Sequence, residues 1–106
     1  MSRINSQDRE HIVYELTVNG LTYIGCTNVE TKLGIEGSLA RRIAKHWYRL
    51  KDARRSQWIL YKEIAKLAHR ELIQRRVIAL CDNKAEGHTL ETRLIAELKP
   101  VLNSDQ

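Results

Sequence analysis

The chain predicts an α+β domain: a small three-stranded antiparallel sheet flanked by helices, in the order β-β-α-α-β-α. Three observations carry this expectation. An alternating apolar and polar run meets Asn19-Gly20 and returns as a second run. Apolar residues recur at helical spacing in three later segments. One stretch rich in β-branched residues lies between the second and third of these.

The first run, His11–Val18, places Ile12, Tyr14, Leu16 and Val18 on one face. Asn19-Gly20 suits a type I′ turn, which needs positive φ at both central positions, and residues 21–26 then form the returning strand. A two-residue turn pairs Val18 with Leu21, Leu16 with Tyr23, and Tyr14 with Gly25. Paired residues share a face, so Tyr14 and Tyr23 project from the same side as diagonal neighbours, with roughly 7–8 Å between their backbones across the two strands. The plain account of this pair is a half-buried aromatic contact on a sheet face. Gly25 leaves open space beside the Tyr14 phenol, and a strand glycine favours close approach by another group.

Residues 28–37, with Gly34 and Gly37, read as a loop. Ser38 is the expected N-cap of a helix to about Lys51. Its apolar stripe is Leu39, Ile43, Trp47 and Leu50, with Arg42, His46 and Arg49 assigned to the opposite side. Ser56 is the expected cap of a second helix to about Ala68, burying Ile59, Leu60, Ile64 and Leu67. Residues 71–80 read as the third strand. Asn83 and Glu86 have capping-box spacing and open a last helix with Leu90, Leu94, Ile95 and Leu98 facing inward, ended by Pro100. Glu91 falls on the shoulder of that apolar face, where a carboxylate is partly desolvated; its plain account is a surface helix glutamate.

A length of 106 residues fits one domain, with its core from about residue 11 to 103. Hydrophobic content of 42% and charged content of 29% argue against wholesale disorder. No apolar stretch is long enough to span a membrane, and the first ten residues are polar, so the expected location is the cytoplasm. Cys26 and Cys81 lie far apart with no C-x-x-C pair, as expected of reduced structural thiols.

Eighteen Lys and Arg against thirteen Asp and Glu leave a formal charge of +5. Seven of those cations fall in residues 41–55 beside one acid, Asp52. A concentration of this kind is either a solvated helix face or a phosphate-binding surface. On the second account Arg41, Lys45, Arg49, Lys51, Arg54 and Arg55 contact nucleic acid.

Val13-Tyr14, Tyr23-Ile24-Gly25, Thr27-Asn28, Leu39-x-x-Arg42-x-x-x-His46, Glu91-x-x-x-Ile95 and Lys99-Pro100-Val101-Leu102-Asn103 occur in that order. Together they resemble the GIY-YIG nuclease domain, over residues from about 12 to 103. Two departures are visible: Ile12 stands where the family has its first glycine, and residues 29–37 are additional. The resemblance implies hydrolysis of DNA phosphodiesters, dependent on Mg²⁺ or Mn²⁺, at a single active site. By matching position, Tyr14 and Tyr23 are the paired tyrosines, Arg42 the helix arginine and His46 its partner one turn later. Glu91 is the sole metal-ligating carboxylate, and Asn103 is the C-terminal asparagine, with a structural role beside the site. Arg42 matches rather than Arg41 because only Arg42 has a histidine four residues on.

Phosphodiester hydrolysis needs a deprotonated nucleophile, neutralised phosphoryl charge and a stabilised leaving oxygen. A single carboxylate suits heavily hydrated Mg²⁺, and arginine offers a planar fork for phosphate. Tyr14, in relay with Tyr23, is the expected general base, and His46 is the alternative. Bringing a phenol from a pKa of about 10 to 7 takes about 4 kcal/mol. One site per chain makes a nick the natural product, and double-strand cleavage calls for a homodimer on DNA. RNA is the alternative substrate. The rival functions are a catalytically inactive nuclease-derived DNA-binding module and a small transcriptional regulator built around residues 56–68. Glu97-x-Lys99 mimics a carboxylate–lysine signature but sits at a helix end, and His11, His69 and His88 are taken as solvent or loop residues.

Overall fold

The computed structural model of the chain describes residues 9–51 and 58–104. Strands β1 (His11–Val18) and β2 (Leu21–Asn28) form the hairpin. Asn19 and Gly20 turn it with φ of 53° and 79°, as a type I′ turn requires. Tyr14 pairs with Gly25, Leu16 with Tyr23 and Val18 with Leu21, the register that the two-residue turn dictates. Strand β3 (Gln74–Cys81) adds antiparallel to the other edge of β1, giving the order β2-β1-β3 with β1 central. β3 begins later than residue 71 because β1 ends there. Thr17 pairs with Gln74, and the chain just before it winds into a 3-10 turn over Arg70–Leu72.

The helices are α1 (Gly34–Tyr48), α2 (Ile59–Ile64) and α3 (Lys84–Leu98). The fold is thus α+β, a three-stranded antiparallel sheet with helices in the order β-β-α-α-β-α. Each sheet face has its own core. Ile12, Tyr14, Leu16 and Val18 of β1 pack with Leu39 and Ile43 of α1 and Leu60, Tyr61 and Ile64 of α2. Val13, Ile24, Cys26 and Cys81 point the other way, against Leu90, Leu94 and Ile95 of α3. Both cysteines are buried free thiols.

Several local expectations are corrected. α1 starts at Gly34, inside the span read as a loop, and has no side-chain cap. Ser38 is an interior, buried helix residue whose Oγ accepts a hydrogen bond from the Glu30 N–H at 2.8 Å, so it ties the preceding turn to the helix. α2 stops at Ile64, well before Ala68, where the Asn19 side chain donates to the Glu63 carbonyl and the following bonds tighten to three-residue spacing. Leu98 is exposed rather than inward-facing, because it belongs to the last turn of α3, beyond the end of the sheet core. His11 is buried on β1, its Nδ1 2.8 Å from the Arg9 carbonyl oxygen, and is not a solvent residue. The proposed cap Ser56 lies outside the described residues.

The start of α3 follows the spacing of its capping residues. Asn83 Oδ1 accepts from the Glu86 N–H at 2.9 Å, and the Glu86 carboxylate reaches back to the Asp82 N–H at 3.0 Å. Lys99 ends the helix in the left-handed region, Pro100 follows, and a 3-10 turn over Val101–Asn103 returns the chain to β2. Among the described residues, no helix is long and apolar enough to cross a membrane.

Candidate active site

The hairpin register puts Tyr14 and Tyr23 on one face, with ring centroids 6.4 Å apart. Tyr14 is completely buried. The space that Gly25 leaves is occupied by the Tyr14 phenol itself: a Cβ on residue 25 would lie 2.5 Å from Tyr14 Cζ and Oη. Gly25 is therefore needed so that the ring can lie across the edge strand.

α1 brings His46 onto this pair. At about 100° per residue, His46 lies within roughly 20° of Leu39 around the helix. Its assignment to the side opposite the apolar stripe is accordingly reversed: His46 is 1% exposed, beside buried Leu39 and Ile43. Its Nε2 is 3.1 Å from Tyr14 Oη and its Nδ1 is 3.0 Å from Tyr61 Oη. A neutral imidazole has one N–H and one lone pair, so one phenol donates to it and the other accepts. Tyr23 packs edge-on to the same imidazole, 5.6 Å between centroids.

Tyr61 is the member that sequence reasoning missed. Its neighbours Leu60 and Ile64 were expected to be buried. The spacing places Tyr61 beside Ile64 on the same face, three residues apart, and its hydroxyl needs the partner that His46 supplies.

Arg42 is half-buried at the rim of the cluster. The Tyr14 phenol lies near its guanidinium and feels its charge, while its Nε is buried without a partner among the described residues. Burial pushes Tyr14 above the ordinary phenol value, with Tyr23 and Glu91 adding and Arg42 opposing. Burial likewise pushes Tyr23 up to about 12, helped by neighbouring Tyr61. Burial, with the charges of Arg42, Arg49 and Lys45, lowers His46 to about 3. The expected base and its alternative thus both move away from neutrality in the protein alone. Tyr14 rests as a neutral phenol and His46 as a neutral imidazole.

Glu91 approaches from α3, on the other sheet face. Its Oε1 is 3.1 Å from His88 Nδ1, and its charge is felt by Tyr14, Tyr23 and Cys26. Among the described residues no hydrogen bond joins it to Tyr14, Tyr23 or Arg42, so its link to the cluster is electrostatic. No three or more His, Cys, Asp or Glu converge as a metal cage among the described residues. A lone half-buried carboxylate fits an ion that keeps most of its water, as Mg²⁺ does, and does not fit zinc.

Asn103 fastens the edge strand. Its Oδ1 accepts from the Ile24 N–H at 2.8 Å, and its Nδ2 donates to the Ile24 carbonyl at 2.9 Å. Edge-strand groups that lack a neighbouring strand are satisfied by one side chain, which holds the Tyr23-Ile24-Gly25 backbone beneath the cluster.

Against α1 lies a pocket of about 830 Å³, lined by Thr27 and Asn28 of β2 and by Arg41, Arg42, Lys45, Tyr48, Arg49 and Lys51. Four of the expected nucleic-acid contacts, Arg41, Lys45, Arg49 and Lys51, are thus together with Arg42. Arg54 and Arg55 lie outside the described residues. Arg41 is tied to Glu30 at 2.7 Å. Comparison of the chain with protein-family models, with curated proteins and with solved structures found no match in any of the three.

Proposed function

We propose that this protein is a metal-dependent endonuclease of GIY-YIG type that hydrolyses DNA phosphodiester bonds at one site per chain. The observation that carries this is the double position of Arg42, which sets its charge beside the Tyr14 phenol and also lines the basic pocket. A phosphate in that pocket meets a planar fork of donors backed by two phenols. Arg42 then neutralises charge on the phosphoryl oxygens, and the neighbouring cations hold the strand on either side. Tyr14 enters as a neutral phenol, with the Arg42 charge on one side and His46 Nε2 3.1 Å from its oxygen. Glu91 is the residue that would hold Mg²⁺ or Mn²⁺. Such an ion, when bound, supplies Lewis acidity and lowers the pKa of its own water.

Supercoiled plasmid incubated with the protein and Mg²⁺ tests this. Nicked circles should accumulate, chelator should stop them, and Glu91→Ala should abolish cleavage while DNA binding remains. Cleavage by Glu91→Ala at the wild-type rate would remove the metal assignment.

The second account, a DNA-binding module without catalysis, is favoured by one observation: Tyr14 and His46 are both buried, as structural residues are. The same plasmid assay separates the two, since such a module shifts the DNA and never nicks it. A helix-turn-helix regulator has less support, because α2 is only six residues long.

A further inference from the structure

The cations of the α1 pocket account for attraction to phosphate, but not for the large aromatic among them. Tyr48 is 64% exposed, the most exposed large apolar side chain among the described residues, and lines the pocket with Arg42, Lys45, Arg49 and Lys51. Its neighbour Trp47 turns inward against the core. An exposed ring set among cations combines an electrostatic groove with a stacking platform, which is how single strands are held. In a duplex each base shows its faces only to its stacked neighbours, so a protein ring reaches a base face where the strand is unpaired.

We propose that the α1 pocket binds a single strand of DNA, with one unpaired base stacked on Tyr48 and the backbone running past Lys45 and Arg49 to Arg42. Tyr48 lies six residues beyond Arg42, about 9 Å along the helix axis. The stacked base is therefore within a few nucleotides of the phosphate at Arg42. This rests on the nuclease function proposed above, which it narrows to substrates with an unpaired segment beside the scissile bond: frayed ends, flaps or gaps rather than continuous duplex. The wall opposite contributes Thr27 and Asn28, which are polar and uncharged, and Glu30, whose charge Arg41 balances.

Binding is measured in chelator, apart from cleavage, by the fluorescence anisotropy of a labelled oligothymidine of about 12 nucleotides and of a blunt duplex of equal length. The wild-type protein should bind the single strand more tightly than the duplex. Tyr48→Ala should weaken single-strand binding roughly tenfold and leave duplex binding nearly unchanged, whereas Tyr48→Phe should keep the wild-type preference. The inference is overturned if the wild type prefers the duplex or shows no preference. It is also overturned if Tyr48→Ala weakens both ligands equally or neither, or if Tyr48→Phe loses as much as Tyr48→Ala, which would make the hydroxyl the contact. A preserved single-strand preference in a protein that, with Mg²⁺, cuts neither plasmid nor a labelled duplex carrying a single-stranded flap would sink the nuclease function alone. Nicking without that preference would sink the stacking alone.

Discussion

Lowering the pH from 7 to 5 probes the imidazole at the centre of the cluster. The ordinary value for His46 is 6.5, and burial together with the charges of Arg42, Arg49 and Lys45 brings it to about 3. Between those values the unfolded chain binds a proton that the folded protein refuses. The stability this group contributes is therefore complete above about pH 6.5 and is lost as the pH falls toward 3. Each pH unit inside that window removes about 1.4 kcal/mol, so roughly 2 kcal/mol is lost by pH 5. Against a total folding stability of about 5–15 kcal/mol for a domain, this is a readily measured fraction. Urea unfolding of the wild type and of His46→Gln, each at pH 7 and pH 5, isolates it. Glutamine keeps a donor and an acceptor near Tyr14 and Tyr61 but has nothing to titrate, and the other histidines contribute to both proteins alike. The wild type should lose about 2 kcal/mol more than the variant. Equal losses would show that His46 does not sit as a buried neutral link between the two phenols.

Gly25→Ala places a methyl group 2.5 Å from the Tyr14 ring, which is fully buried and has no room to retreat. Its denaturation midpoint should fall by the equivalent of roughly 1–3 kcal/mol, and an unchanged midpoint would show that the ring does not lie across the strand. Arg42→Ala should reduce plasmid nicking by about 10²- to 10³-fold, and Arg41→Ala, which removes an exposed pocket cation already paired with Glu30, far less. Equal losses in the two variants would reduce α1 to a generic basic surface.

The chain's local chemistry settled its ribbon and its last helix. Asn19-Gly20 admits positive φ at adjacent positions, and a two-residue turn leaves one register, so the pairing of Tyr14 with Gly25 follows without reference to the rest of the molecule. Asn83 and Glu86 likewise begin α3 through contacts within four residues. Ser38 misled because its hydroxyl is satisfied by the Glu30 backbone, a partner eight residues away that a capping pattern does not anticipate. His46 was legible in principle, since helical arithmetic puts it on the Leu39 face, but a polar side chain was placed outside by type rather than by angle. Only the packed molecule decided the chemistry of the cluster. Burying a phenol and an imidazole together holds both in their neutral forms, and neighbours from β2, α1 and α3 adjust how strongly. Tyr61 and Asn103 reach their partners only when distant segments meet, so their hydrogen bonds belong to the tertiary structure and to no local pattern.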